Sequence, residues 1–344
     1  MPQAEGQRPC PPGHPRPALP LGDGLAAGRA VGAHAVVLDV REGLDGRRGE
    51  LVGPGPFRAD LEAAVLAEAR NAEVGAEPVV GHEVDARGLQ AVETCSRHGY
   101  ELVVHPVRFG DPEIAADVES FVRRSRVDGL IVLPPTSEIA AIPARLTQLG
   151  VPSVGIASVL LPEYPSMLVS DERGATFELG RRLVELGHSR IALIEGPPHF
   201  RSAQERKAGF LAALPEPMPA AYLQKGDYGF ESGLAAAEAL LSLDPPPTAI
   251  FACNDIMAAA VLKVARERDV QVPGQLSVAG FDDSDIAAMV TPALTTIRRP
   301  LTDMARLATE TQLAMIADPN VVQPHKSIGL SLIQRQSVDV PGKA

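Results

Sequence analysis

The chain is 344 residues long, 45% hydrophobic and 22% charged, with a formal net charge of −11 from 32 Lys plus Arg against 43 Asp plus Glu. That length can bury one large core or two ordinary ones, two being the better expectation, and the composition excludes a chain disordered throughout. The acidic excess opposes non-specific attraction to nucleic acid over the whole surface, so any contact with DNA needs a local basic patch.

No run reaches the roughly 18 uninterrupted apolar residues of a spanning helix, and the first thirty residues lack a basic start followed by an apolar block. The expectation is a soluble, cytoplasmic protein with no membrane partner. Cys10, Cys95 and Cys253 are scattered and odd in number, which fits neither a disulfide framework nor a closely spaced metal site.

Gly and Pro make up 20 of the first 60 residues, against 43 of the remaining 284. Breakers such as Cys10-Pro-Pro-Gly-His-Pro-Arg-Pro leave Ala35 to Val40 as the one short strand of this irregular segment. Arg58 to Ala72 then reads as a helix with Leu61, Val65 and Leu66 on one side.

Beyond residue 85, short apolar runs alternate with amphipathic stretches. Strands are predicted over Glu101 to Pro106, Gly129 to Leu133, Ser153 to Ala157, Met167 to Ser170, Arg190 to Ile194, Thr248 to Ala252 and Leu276 to Gly280. Between them, Glu113 to Val127, Glu138 to Leu149, Gly174 to Leu186, Ser202 to Leu214, Glu231 to Leu243 and Asp255 to Asp269 have helical spacing. Continuous apolar strands imply parallel sheets covered on both faces. The strands outnumber one comfortable sheet, so the fold class is α/β with two Rossmann-like subdomains and a small-molecule cleft between them.

Three strand ends carry the polar residues. Thr248 to Ala260 runs from a buried strand into Asn254-Asp255 and an alanine-rich helix. Asn254 can offer its amide to a polyhydroxylated or heteroaromatic ligand while Asp255 caps the helix, or both can be caps. Leu276 to Asp283 places Asp282 and Asp283 at a second such end, where they can bind hydroxyls, a helix end or, as the weaker reading, a metal, since no third ligand has suitable spacing. In the third, Gly196 to Phe210, Arg206 follows Ser202 by one helical turn and can clasp a ligand or simply face solvent. Nucleophile elbows, phosphate-binding loops and His-Glu-x-x-His are absent, so the sequence points to a binder rather than an enzyme and to no cofactor.

Taken in order, these segments resemble the effector-binding core of the LacI family of bacterial transcription regulators, which has the type I periplasmic-binding-protein fold. The resemblance rests on Arg124 to Pro134 (RSRVDGLIVLP), Leu183 to Gly196 (LVELGHSRIALIEG), Glu205 to Phe210 (ERKAGF), Phe251 to Ala258 (FACNDIMA), Val272 to Asp283 (VPGQLSVAGFDD), Pro292 to Pro300 (PALTTIRRP) and Leu330 to Ser337 (LSLIQRQS). It implies that Arg206, Asn254 and Asp282 contact an effector, with Ser202 beside them and Tyr228 stacking on it. Ala157 stands where sugar-binding members often carry Asp, which argues against a hexose.

The resemblance also implies three crossings between subdomains, giving subdomain one about 85–169 and 299–325 and subdomain two about 170–298 and 326–344. Leu301 to Ala317 then returns to the first and offers Met304, Leu307 and Leu313 to a homodimer, or to internal packing. The implied partners are a small-molecule effector such as a sugar or related polar metabolite and, through a helix-turn-helix, operator DNA. Residues 1–84 are where that reading head is expected, yet residues 1–80 hold 8 Arg and no Lys against 11 acids, and no such motif is legible, so DNA-binding residues are unknown. Out-of-frame translation of a GC-rich gene would give this Ala, Gly, Pro and Arg bias and predicts a helix-turn-helix in another frame upstream of codon 85. The rivals are a variant amino terminus on a sensor that does not bind DNA, a solute receptor, which would need an export signal, and an enzyme using Asp282 or Asp283 as a base.

Overall fold

A computed structural model describes residues 34–42, 82–108 and 110–342. The helix expected over Arg58 to Ala72 lies outside them, as does nearly all of the region searched for a DNA-reading head. Two six-stranded sheets organise the chain.

The first lobe contains β1 (His34–Glu42), α1 (His82–Arg97), β2 (Tyr100–Arg108), α2 (Ile114–Ser125), β3 (Gly129–Val132), a 3-10 turn (Thr136–Glu138), α3 (Ala141–Gln148), β4 (Ser153–Ala157) and β5 (Ser166–Ser170). After a first crossing at Asp171 the second lobe supplies α4 (Glu172–Glu185), β6 (Ile191–Glu195), α5 (Arg201–Ala212), β7 (Leu223–Lys225), α6 (Phe230–Leu241), β8 (Ala249–Ala252), α7 (Asp255–Glu267), β9 (Ser277–Asp282), α8 (Asp285–Met289) and β10 (Thr295–Arg298). The chain recrosses at Arg299-Pro300 into α9 (Leu301–Ala317) and β11 (Lys326–Ile328) of the first lobe, then crosses again at Gly329 into β12 (Ser331–Ile333) of the second.

In space the sheets run β11-β5-β4-β3-β1-β2 and β12-β10-β9-β8-β6-β7. Strand pairs are parallel except where β1 and β12 take part: β1 lies antiparallel to both β2 and β3, with Val37 opposite His105 on one side and Val132 on the other. The predicted strand at Ala35 to Val40 is therefore an interior member of the first sheet, not a feature of a separate irregular segment. The predicted boundary at 325/326 also shifts. Lys326 pairs with Leu168 of β5, so residues 326–328 belong with the first sheet. A three-residue Lys-Ser-Ile strand has no periodicity of its own, and only its partner decides where it lies.

Strands covered on both sides are buried throughout, as in β3 and β8. In β3 the two-residue period divides the core: Leu130 and Val132 face α2 and α3, while Ile131 joins α1 and α9 on the other side. Met304 and Leu313 of α9 are buried in that second cluster and Leu307 packs against it, so the dimer role expected of them gives way to packing inside the lobe. In the second lobe α4 and α5 approach so closely that a Cβ on Gly209 would sit 2.0 Å from the Arg173 carbonyl oxygen. Among the described residues no helix is long and apolar enough to cross a membrane.

Candidate ligand-binding site

The carboxyl ends of β6, β8, β9 and β10 gather the polar residues of the second lobe. Arg206 lies on α5, 3% exposed, which excludes the solvated-helix reading. Its Nε donates to Glu172 Oε2 at 2.7 Å, its Nη1 donates to the Cys253 carbonyl at 2.5 Å, and its Nη2 lies 3.8 Å from Asp282 Oδ1. The guanidinium carbon also sits 3.6 Å from the centroid of the Phe281 ring, a cation–π contact in a dry setting.

Glu172, the first residue of α4, and Arg299, at the second crossing, complete a four-charge cluster. Arg299 Nη1 is 3.8 Å from Glu172 Oε1 and 3.6 Å from Asp282 Oδ1. Burial opposes ionisation of Glu172, but the Arg206 and Arg299 guanidiniums outweigh it and hold the carboxyl below its ordinary range. Burial likewise opposes the charge on Arg206, and Glu172, Tyr228 and Asp282 outweigh it. Two cations and two anions thus stabilise one another in a place where any one alone would be costly. Neither Glu172 nor Arg299 emerged from the sequence as a site residue. Both stand within two positions of a strand's carboxyl end, the signal by which they could have been found.

Asp282 has φ 112° and Asp283 φ 56°, two successive residues in left-handed backbone at the end of β9. Strain of this sort concentrates where a side chain must be aimed. It turns the neighbours apart: Asp282 faces Arg206, whereas Asp283 accepts from Arg298 Nε and Arg335 Nη2, each at 2.5 Å. Asp283 thereby anchors β10 and the carboxyl-terminal segment and does not join Asp282 in a pair.

Asn254 caps α7, its Oδ1 accepting from the Met257 amide at 2.9 Å, while its Nδ2 donates to the Tyr228 carbonyl at 2.9 Å. The cap expected of Asp255 thus falls to Asn254. Asp255 accepts from Thr296 Oγ1 at 2.5 Å and from the Ser284 amide at 2.8 Å, tying α7 to β10 and α8, and burial pushes its carboxyl up to about 6.

Tyr228, at φ 71°, turns its ring toward Arg206, 5.7 Å away, and lies 6.1 Å from Phe200 with nearly parallel planes. A Cβ at Gly196 would meet Tyr228 Cζ at 2.5 Å, so the ring's position requires that glycine. Burial raises the Tyr228 hydroxyl above its ordinary range, with Arg206 and the neighbouring Ser202 acting against it. Ser202, Arg206, Tyr228, Asn254 and Asp282 therefore converge on one place.

The first lobe reaches this place through Glu138. Its carboxylate accepts from Ser158 Oγ at 3.1 Å and faces the backbone N–H of Arg201, at the start of α5, which has no side-chain cap of its own. Burial raises the Glu138 carboxyl. Among the described residues no group of three or more His, Cys, Asp or Glu is placed to hold a metal ion.

Chemically, the arrangement offers hydrogen-bond donors and acceptors around an aromatic face, with α4, α5 and α7 of the second lobe and the 3-10 turn of the first beside it. That suits recognition of a polar molecule. Comparison with known proteins agrees. A family described as a periplasmic binding protein-like domain matches residues 181–338. The chain is 32% identical over 243 residues to the probable HTH-type transcriptional repressor ExuR of Bacillus subtilis (strain 168), covering 69% of this chain and 71% of that protein. It is 30% identical over 259 residues to the ribose operon repressor of Escherichia coli (strain K12), covering 73% and 76%. A solved regulatory protein of the LacI family from Chloroflexus aggregans superimposes with a TM-score of 0.68 at 26% identity, covering 77% of this chain and 96% of that one.

Proposed function

The chain belongs to the LacI family of transcription regulators, and on that premise we propose that Arg206 and Asp282, with Ser202, Tyr228 and Asn254, form its effector site. Arg206 and Asp282 take the hydroxyls of a sugar or related polar metabolite, and the free N–H of the Asn254 amide and the Ser202 hydroxyl supply rim contacts to a molecule lying against Tyr228. A relative named for the ribose operon supports that ligand class.

One observation carries the reading. The cluster around Arg206 includes Glu172 just after the first crossing and Arg299 at the second, so a ligand that rearranges it acts on the segments that set the angle between lobes. Ligand bound more tightly in one lobe arrangement than another shifts the population between them, and that shift is what the DNA-reading part senses. Two copies of the chain would read the closure as a change in the spacing of their DNA-binding ends, which supports a homodimer formed through surfaces other than Met304 and Leu313.

Asp282→Asn tests the site. It keeps the shape and leaves Arg206 paired with Glu172. Thermal unfolding in the presence of a panel of sugars and sugar acids should show stabilisation of the native chain by at least one compound and its loss in the variant. Equal stabilisation of both proteins would remove Asp282 from the site.

A further inference from the structure

The helix that carries Ser202 and Arg206 begins without a cap of its own. Phe200 stands at the N-cap of α5 and has no side-chain acceptor, so the first amides of the helix need a partner from elsewhere. That partner comes from the other lobe. Glu138 of the first lobe accepts from the Arg201 N–H, placing a carboxylate at the positive end of the helix.

Both sides of this contact are tied down. Ser137 Oγ donates to the Ile156 carbonyl at 2.5 Å, which fixes the 3-10 turn to β4, and Ser158 Oγ, just past β4, donates to Glu138 Oε1 at 3.1 Å. In the second lobe, Arg173 Nε on α4 donates to Glu205 Oε2 on α5 at 2.7 Å, and Gly209 of α5 lies against the Arg173 carbonyl. α4 itself starts directly after the first crossing. Glu172 is the like charge that faces Glu138, and Arg206 and Arg299 compensate it.

We propose that Glu138 is a positioning residue that clasps the two lobes together in the unliganded chain, by capping from the first lobe the helix that presents Ser202 and Arg206 in the second. Opening the cleft uncaps α5, so the helix bearing the effector residues senses the lobe arrangement through its own first turn. The link to effector binding rests on the site proposed above; the clasp itself does not.

The acceptor and the donor can be removed separately. Glu138→Ala takes the acceptor. Arg201→Pro takes the donor and keeps the helix, since the first helical position tolerates proline and Phe200, at φ −92° and ψ 127°, already has the extended backbone required before one. Arg201→Ala keeps the N–H and controls for the lost side chain. Lobe separation is read by pulsed dipolar spectroscopy on the full chain, with spin labels at the exposed positions Glu113 and Glu231 and no ligand. The labels are attached through Glu113→Cys and Glu231→Cys in a Cys10→Ser background, Cys95 and Cys253 being buried.

Glu138→Ala and Arg201→Pro should each raise the ratio of wide to narrow separations about tenfold to a hundredfold, the range expected for a hydrogen bond to a charged group. The double variant should go no further than either single one, because both remove the same bond. Glu138→Gln, which keeps an acceptor without the charge, should fall between wild type and Glu138→Ala. Thermal unfolding of every variant checks that it folds. Unchanged separations in Glu138→Ala, an Arg201→Pro that behaves as Arg201→Ala does, or additive shifts in the double variant would each overturn the clasp. No ligand enters the measurement, so the effector site stands or falls separately, on Asp282→Asn.

Discussion

The two lobes share an architecture but divide the work. The second has one continuous hydrophobic cluster, from Leu179 on α4 to Val338 near the carboxyl terminus, and holds five of its six strands in parallel register beneath the polar residues. The first has separate clusters on the two faces of its sheet and an antiparallel strand in the interior of that sheet. A single rigid core can support an ion cluster with almost no exposure and two strained aspartates, because close packing leaves those side chains few alternatives. The first lobe instead contributes edges: Glu138 at the start of α5 and the apolar walls around Arg299. Recognition is concentrated in the lobe with the undivided core, and the other lobe acts by how it meets it.

The largest test of that contrast is Arg206→Ala. Removing the guanidinium leaves Glu172 buried without its closest partner, so beyond abolishing effector-induced stabilisation the variant should lose about 3–5 kcal/mol of stability. An unfolding free energy from denaturant titration within about 1 kcal/mol of wild type would mean that the cluster is not what stiffens the second lobe. Loss of ligand response in this variant alone is therefore ambiguous, which is why Asp282→Asn is the cleaner probe of binding.

A smaller effect separates the lobes by packing. Gly209→Ala would drive a Cβ against the Arg173 backbone of the second lobe, where neither helix can yield without shifting, and should cost about 1–3 kcal/mol. In the first lobe, Gly129→Ala would meet the buried Gln312 side-chain amide, which can move only by giving up its hydrogen bond to the Pro152 carbonyl, but a side chain yields more readily than the Arg173 backbone, so its cost should still be the lesser of the two. If urea unfolding ranks them the other way, the first lobe is the tighter one.

The smallest expected effect is on pH dependence. Asp255 of the second lobe has its folded pKa raised to about 6 from an ordinary 3.8, mainly by burial, so the folded state favours the protonated form. Its contribution to stability is full below 3.8, declines as pH rises through about 6, and is level above. Glu138 is raised in the same sense. Stability measured from pH 4 to 7 should therefore fall less steeply in Asp255→Asn than in wild type, the difference isolating Asp255. Parallel curves would show that this carboxyl does not titrate there.

Much of this was readable from residue order. Continuous apolar runs announced Ser153–Ala157 exactly where β4 lies and Ala249–Ala252 within one residue of its predicted start. The family resemblance, rather than helical spacing, pointed to Leu301–Ala317, and a helix has those bounds. The polar residues of Asn254, Asp282 and Arg206 were legible because they follow buried strands, the places where a parallel sheet presents side chains to a cleft. What stayed hidden was short or depended on a partner. β11 and β12 are three residues each, too brief for a pattern, and α1 went unpredicted although its sequence is amphipathic.

Local pattern determined the class of the fold, the order of its elements and which strand ends carry polar groups, because burial of a strand or a helix face is encoded within a few residues. Tertiary structure alone decided which ionised groups meet. That Glu172 belongs to Arg206, that Asp283 turns from Asp282 toward Arg298 and Arg335, and that Arg299 stands beside Glu172 all depend on distances between residues 15 to 127 positions apart in the chain. Electrostatic pairing acts through space, so no periodicity records it.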